Sequence, residues 1–128
     1  MENFEIKLLR LKSGEDIICF CFEDFKNQKV YIRHPKTFYV NYDIESESLG
    51  DLLLVDWLPP QAFAYQEVIL NTSDILFVSY STMSFGVRYL KSLIENLDPD
   101  SDLVKQINVS LREFSSDKDE STGPKVFH

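Results

Sequence analysis

Few side chains in this 128-residue chain could carry acid–base or nucleophilic chemistry, and their spacing limits what that chemistry could be. A Ser, Thr or Cys nucleophile needs a base such as His within hydrogen-bond reach. Two histidines are present, His34 and His128. His34 precedes Pro35 where a strand is expected to end, a place that suits a turn better than a base. His128 is the last residue of a polar tail. Cys19 and Cys21 stand two apart in an apolar run, so both face one side of a strand, as buried small hydrophobes do. Two His and two Cys without ligand spacing predict no zinc site. Glu15-Asp16 and Glu23-Asp24 fall in expected turns, where charge is solvated, and four glycines form no phosphate loop. Asn71-Thr72-Ser73 and Asn108-Val109-Ser110 match the loose glycosylation pattern by chance. The expectation is a protein with no catalytic residues, no metal and no cofactor.

That leaves the loops. Phe25 is a large aromatic inside a polar turn, between Asp24 and Lys26, with Asn27 close by. In one reading it folds back and caps an end of the core. In the other it offers its face to a nucleobase, a contact of about 1–3 kcal/mol, with Asn27 placed to bond the base edge. Net charge bounds the second reading. At −8, with 14 acidic and 9 basic residues in 1–97 and 7 and 4 in 98–128, neither part holds a basic arm. Broad binding to duplex DNA or to an anionic membrane is excluded on that ground, because phosphate neutralisation supplies much of such affinity. A local site for a few nucleotides is not. No apolar run, Ile17–Phe22 and Leu52–Val55 included, is long enough to span a bilayer, and no signal peptide is evident. A cytoplasmic location is expected.

The elements that must position these residues follow from periodicity. Phe4–Leu11 alternates, Lys12-Ser13-Gly14-Glu15 signals a turn, and Ile17–Phe22 is apolar on both faces, as a strand buried from two sides requires. Lys29–Arg33 and Thr37–Tyr42 read as two further strands separated by His34-Pro35. Asp43–Gly50 reads as an exposed hairpin tip, and Leu52–Leu58 as a strand stopped by Pro59-Pro60. Tyr65–Leu70 and Ile75–Tyr80 complete seven. High Phe and Tyr content fits this strand-rich pattern. The period then changes: Val87, Leu90, Ile94 and Leu97 mark an amphipathic helix from about Phe85. Ser101 is placed to cap a second helix, with Leu103, Ile107, Leu111 and Phe114 on one face. The fold class is therefore mainly β, a small bent antiparallel barrel with C-terminal helices. The barrel covers 1–82 with an extended hairpin insertion at about 40–65, the helices cover 83–114, and a tail over 115–128 is expected to be disordered.

The pattern resembles the Sm/LSm family of RNA-binding rings, in a divergent form similar to the Sm-like proteins of phages. Leu11-Lys12-Ser13-Gly14, the strand Ile17–Phe22 and Glu23-Asp24-Phe25-Lys26-Asn27 resemble the first Sm motif, with Cys19 nearest to its second Gly. Val68–Val78 resembles the second, with Thr72 in the place of a turn Gly. Helices follow the barrel instead of preceding it. The resemblance implies a homo-oligomeric ring closed by edge-strand pairing, with single-stranded, often uridine-rich, RNA at its inner rim. By position, Phe25 would stack a base and Asn27 would contact its edge. Glu23 would brace the loop, and Asn71 falls where the family has an Arg. A second expectation is an assembly or protein-interaction module that keeps the barrel without RNA binding. Trp57-Leu58-Pro59-Pro60 would then be an apolar anchor, or Trp57 a core residue.

Overall fold

The computed structural model describes residues 3–43, 48–95 and 97–120, apart from the side chains of 41–43, 48–51 and 113–120. Alternating apolar residues form strands where one face has a core to cover, and here six do so: β1 Glu5–Leu11, β2 Asp16–Asp24, β3 Lys29–Asp43, β4 Ser48–Asp56, β5 Glu67–Asn71 and β6 Ile75–Tyr80. All pair antiparallel in one sheet of order β4-β3-β2-β1-β6, with β5 also on β3. The sheet is not closed on itself. The β1–β2 turn depends on Gly14, whose φ of +97° strains any side-chain-bearing residue. The tip of the β3–β4 hairpin, residues 44–47, lies outside the described residues.

β2 is central, and Ile17 through Cys21 are all buried, as a strand apolar on both faces should be. Leu9, Leu11, Ile17, Cys19, Cys21, Val30 and Ile32 form the core on one face, and Trp57, Val68, Leu70, Ile75 and Val78 pack against it. Fully burying each Leu or Ile contributes about 1.5–3 kcal/mol. Both cysteines are free thiols in this core. Burial first, then the neighbouring Cys21, pushes the Cys19 thiol well above its ordinary range, which makes it inert. Trp57 is a half-buried core residue, and its indole N–H donates to Glu15 Oε2 at 2.8 Å.

Six strands replace the expected seven because His34-Pro35 does not end a strand. β3 runs through it. The β2–β3 register slips by one residue between Ile18↔Lys36 and Phe20↔Arg33, so β3 carries an extra residue opposite Cys19. His34 absorbs the bulge with φ +52°, and a bulge is also where a strand tolerates a Pro that lacks an N–H. On its other edge β3 pairs with β5 through Lys29–Arg33 and with β4 from Lys36 onward. The connection between those two strands is tied to the bulge at both ends. The Trp57 N–H donates to the Pro35 carbonyl at 3.2 Å, and the His34 N–H donates to the Gln66 carbonyl at 2.8 Å.

The chain divides into two compact units, Met1–Tyr80 and Ser81–His128. In the second, α1 (Met83–Ile94) and α2 (Asp102–Glu120) pack on each other. Thr82 Oγ1 accepts from the Phe85 N–H and Ser101 Oγ from the Val104 N–H, two N-caps of the usual kind. The buried stripe of α1 is Phe85, Gly86, Tyr89, Leu90 and Leu93, rotated from the expected Val87-Leu90-Ile94. Among the described side chains of α2, Val104 and Ile107 are buried. This helix continues past Phe114 to Glu120. Residues 115–120 hold no apolar side chain, so periodicity had nothing there to register; residues 121–128 lie outside the described residues. Among the described residues, no helix is long and apolar enough to cross a membrane.

Two predictions follow from the bulge. His34→Val, β-branched in a left-handed conformation, should lower unfolding free energy by about 1–3 kcal/mol. His34→Asn, which tolerates positive φ, should stay within about 1 kcal/mol of wild type; equal urea midpoints for the two variants would contradict this. Burial lowers the His34 pKa below 6.5, helped by the Arg33 and Lys36 charges and opposed by Glu67. The folded state then binds fewer protons than the unfolded chain, so stability is full above pH 6.5 and is lost as pH falls through the lowered folded value. Urea titrations should show wild type losing more stability than His34→Asn on going below pH 6.5.

Candidate functional site

Alternation along β2 separates two residues that are adjacent in sequence. Glu23 continues the core face of Cys19 and Cys21, whereas Asp24 closes the ladder opposite Lys29 and starts the turn into β3. Both Asp24 oxygens hold that turn. Oδ1 accepts from the Asn27 N–H at 3.3 Å, and Oδ2 from Asn27 Nδ2 at 2.7 Å. The Gln28 N–H donates to the Phe25 carbonyl at 3.2 Å, with Gln28 at φ +56°. This is the local side chain-to-backbone bonding that favours Asp and Asn in turns. With the backbone so fixed, Phe25 has no core to reach and stays 73% exposed. It does not cap the core.

The turn is joined to the end of β5. The Thr72 N–H donates to the Gln28 carbonyl at 3.1 Å, and Lys29 Nζ donates to Asn71 Oδ1 at 2.5 Å. Asn71 in turn donates its N–H to Asp74 Oδ2 at 3.2 Å, at the start of a short 3-10 turn over Thr72–Asp74. Phe25, Asn27 and Asn71 are thus brought to one end of the sheet. Lys29 joins them, and only the β3–β5 register, Lys29↔Asn71, reveals it.

Glu23 does not belong to this group. It meets Lys7 Nζ at 2.8 Å, with Lys7 only 8% exposed and its ammonium 5.1 Å from the centre of the Tyr80 ring. Burial alone would lower the Lys7 pKa, but the hydrogen bond and charge of Glu23, together with Tyr80 and Cys21, outweigh it and the net shift is upward. The acid that braces the loop is Asp24, and the Asp-x-x-Asn spacing was the signal for it in the sequence.

Cation accounting sets the electrostatics. Residues 1–80 hold seven Lys and Arg: 7, 10, 12, 26, 29, 33 and 36. Lys7, Arg10, Arg33 and Lys36 are paired with Glu23, Asp16, Glu67 and Asp56. Lys12, Lys26 and Lys29 form no ion pair among the described residues, and two of these three flank Phe25 and Asn27. A neutral amide oxygen orients Lys29 without neutralising its charge. The site offers an aromatic face, an amide and two cations, a set suited to a base and its phosphates. Among the described residues, no three His, Cys, Asp or Glu are placed to hold a metal ion.

Glu23→Ala should cost about 1–3 kcal/mol, because it leaves the Lys7 ammonium buried without its partner. The double replacement Lys7→Met/Glu23→Leu should recover most of that loss. Urea unfolding decides it: a double variant no more stable than Glu23→Ala alone would show that the pair is not what costs.

No protein-family model matches this chain, and a search of the curated proteins also finds no match.

Proposed function

We propose that this is a non-enzymatic, ring-forming Sm-like protein that binds short single-stranded RNA at the β2–β3 turn. The observation carrying the reading is Phe25, 73% exposed on a turn whose backbone is already locked by Asp24 and Asn27. An exposed aromatic that needs no reordering retains most of its stacking energy on binding. Asn27 faces the base edge with the amide positions that Asp24 leaves open. Lys29, held on Asn71, supplies across the ladder the cation that the family carries at 71, and Lys26 supplies a second.

Oligomerisation has its support in the sheet edges. Among the described residues, β5 pairs with β3 alone and β6 with β1 alone, so each has an unpaired edge. Ile69 on β5 and Leu76 and Phe77 on β6 are exposed. Edges of this kind are completed by another strand, and a head-to-tail match of β5 to β6 generates a ring when the rotation closes. The acidic total favours a second reading, in which the same ring serves assembly without RNA.

Fluorescence anisotropy with U-rich and A-rich oligoribonucleotides at low salt separates the two. Binding is expected, weakened by about 1–3 kcal/mol in Phe25→Ala with the oligomer mass unchanged. Two cations per subunit limit the log–log salt slope to about −1.4 for each subunit engaged. Absence of binding by wild type at low salt would leave the assembly reading.

A further inference from the structure

The segment 57–66, WLPPQAFAYQ, contains no charged residue in a chain that is 27% charged. Its flanking acids, Asp56 and Glu67, are both paired, with Lys36 and Arg33. Its ends are clamped to adjacent residues of the β3 bulge, Trp57 to Pro35 and Gln66 to His34. Within it, Gln66 Nε2 donates to the Leu58 carbonyl at 2.8 Å, and the N–H groups of Ala62 and Phe63 donate to the Pro59 carbonyl at 2.9 and 3.0 Å. A surface loop with closed ends and internal bonds is an Ω-loop. Trp57 and Leu58 anchor it inward, but Phe63 is 48% and Tyr65 79% exposed. Folding leaves both Phe63 and Tyr65 of this bonded loop in water.

Charge depletion with aromatic enrichment marks the centre of a protein interface. A nucleic acid does not suit this surface, since the loop holds no cation to meet a phosphate. The occupant follows from place and area. Tyr65 and Gln66 run directly into β5, whose open edge is only five residues long. A stable interface buries about 1,200–2,000 Å², far more than a five-residue strand pair provides, whereas Phe and Tyr bury about 150–250 Å² each. A strand laid antiparallel on β5 sets its own C-terminal end beside Glu67, so Phe63 and Tyr65 extend the contact past that end. This chain carries a matching open strand in β6. We infer that the 57–66 loop is a clasp for a second copy of this chain, with Phe63 and Tyr65 seated beside the C-terminal end of the neighbour's β6. The inference rests on the ring reading and adds the residues that make so short an edge sufficient.

The test is sedimentation velocity of the full chain over a wide concentration range, for wild type, Tyr65→Ser, Phe63→Ala/Tyr65→Ser and Phe25→Ala. The expected result is an oligomer whose dissociation concentration rises about tenfold or more in the two clasp variants and is unchanged in Phe25→Ala. Circular dichroism should show the same fold throughout; if the double variant unfolds, Tyr65→Ser, at so exposed a position, carries the test alone. An oligomer as tight in the clasp variants as in wild type overturns the clasp and leaves the ring standing. A wild type that is monomeric at every concentration overturns both.

Discussion

The bulge at His34-Pro35 is the constraint on which the sheet depends. β3 has to serve two strands on one edge, β5 below the bulge and β4 above it, while β2 runs along the other. Side-chain parity makes this demanding, since a slip of one residue exchanges the faces of everything beyond it. The extra residue at the bulge lets Thr37 oppose Ile17 while Ile32 still opposes Cys21, so the strand bends without exposing Ile32 or Val30. His34 accepts a left-handed φ in return, and the Pro35 carbonyl and His34 N–H become the two posts of the β4–β5 connection. A single strained residue therefore sets the bend, the change of partner strand and the loop that carries Phe63 and Tyr65.

Much of this was legible in the sequence. Alternation in Phe4–Leu11, double-sided burial of Ile17–Phe22 and the change of period after Tyr80 each reflect one local cause, and the structure follows them. What was not legible depended on pairing across the sheet. His34-Pro35 reads as a strand end because the residue before a Pro commonly marks a break; only β5 and β4, arriving from the far side, show that β3 continues. The expected α1 stripe was rotated because Val87, Leu90 and Ile94 fit helical spacing as well as the buried Phe85, Tyr89 and Leu93 do. At the candidate site, Phe25, Asn27 and Asn71 were visible as residue types. Glu23 was misassigned to the loop because adjacency in sequence does not reveal which face of a strand a side chain takes. Lys29 was missed because its partner is 42 residues away.

On the proposed reading, the charge arrangement is what lets an acidic chain present a surface for an anion. Net charge governs long-range steering and solubility, but a bound nucleotide feels the groups within a Debye length of about 8–10 Å. Here each of the four cations in the ion pairs of the sheet is held against a carboxylate, so those pairs are electrically quiet at that range. Of the three cations outside those pairs, Lys26 sits on the turn, Lys29 is fixed to Asn71, and Lys12 lies in the β1–β2 turn. Asp24 and Asp74 stand among them with their charges intact, their oxygens turned to the N–H groups of Asn27 and Asn71. The same pairing of Asp56 and Glu67 leaves the 57–66 loop neutral and therefore easy to desolvate. Two surfaces of different character, one aromatic with two lysines beside it, the other uncharged and aromatic, are thus made from one excess of acid by the choice of which charges are paired.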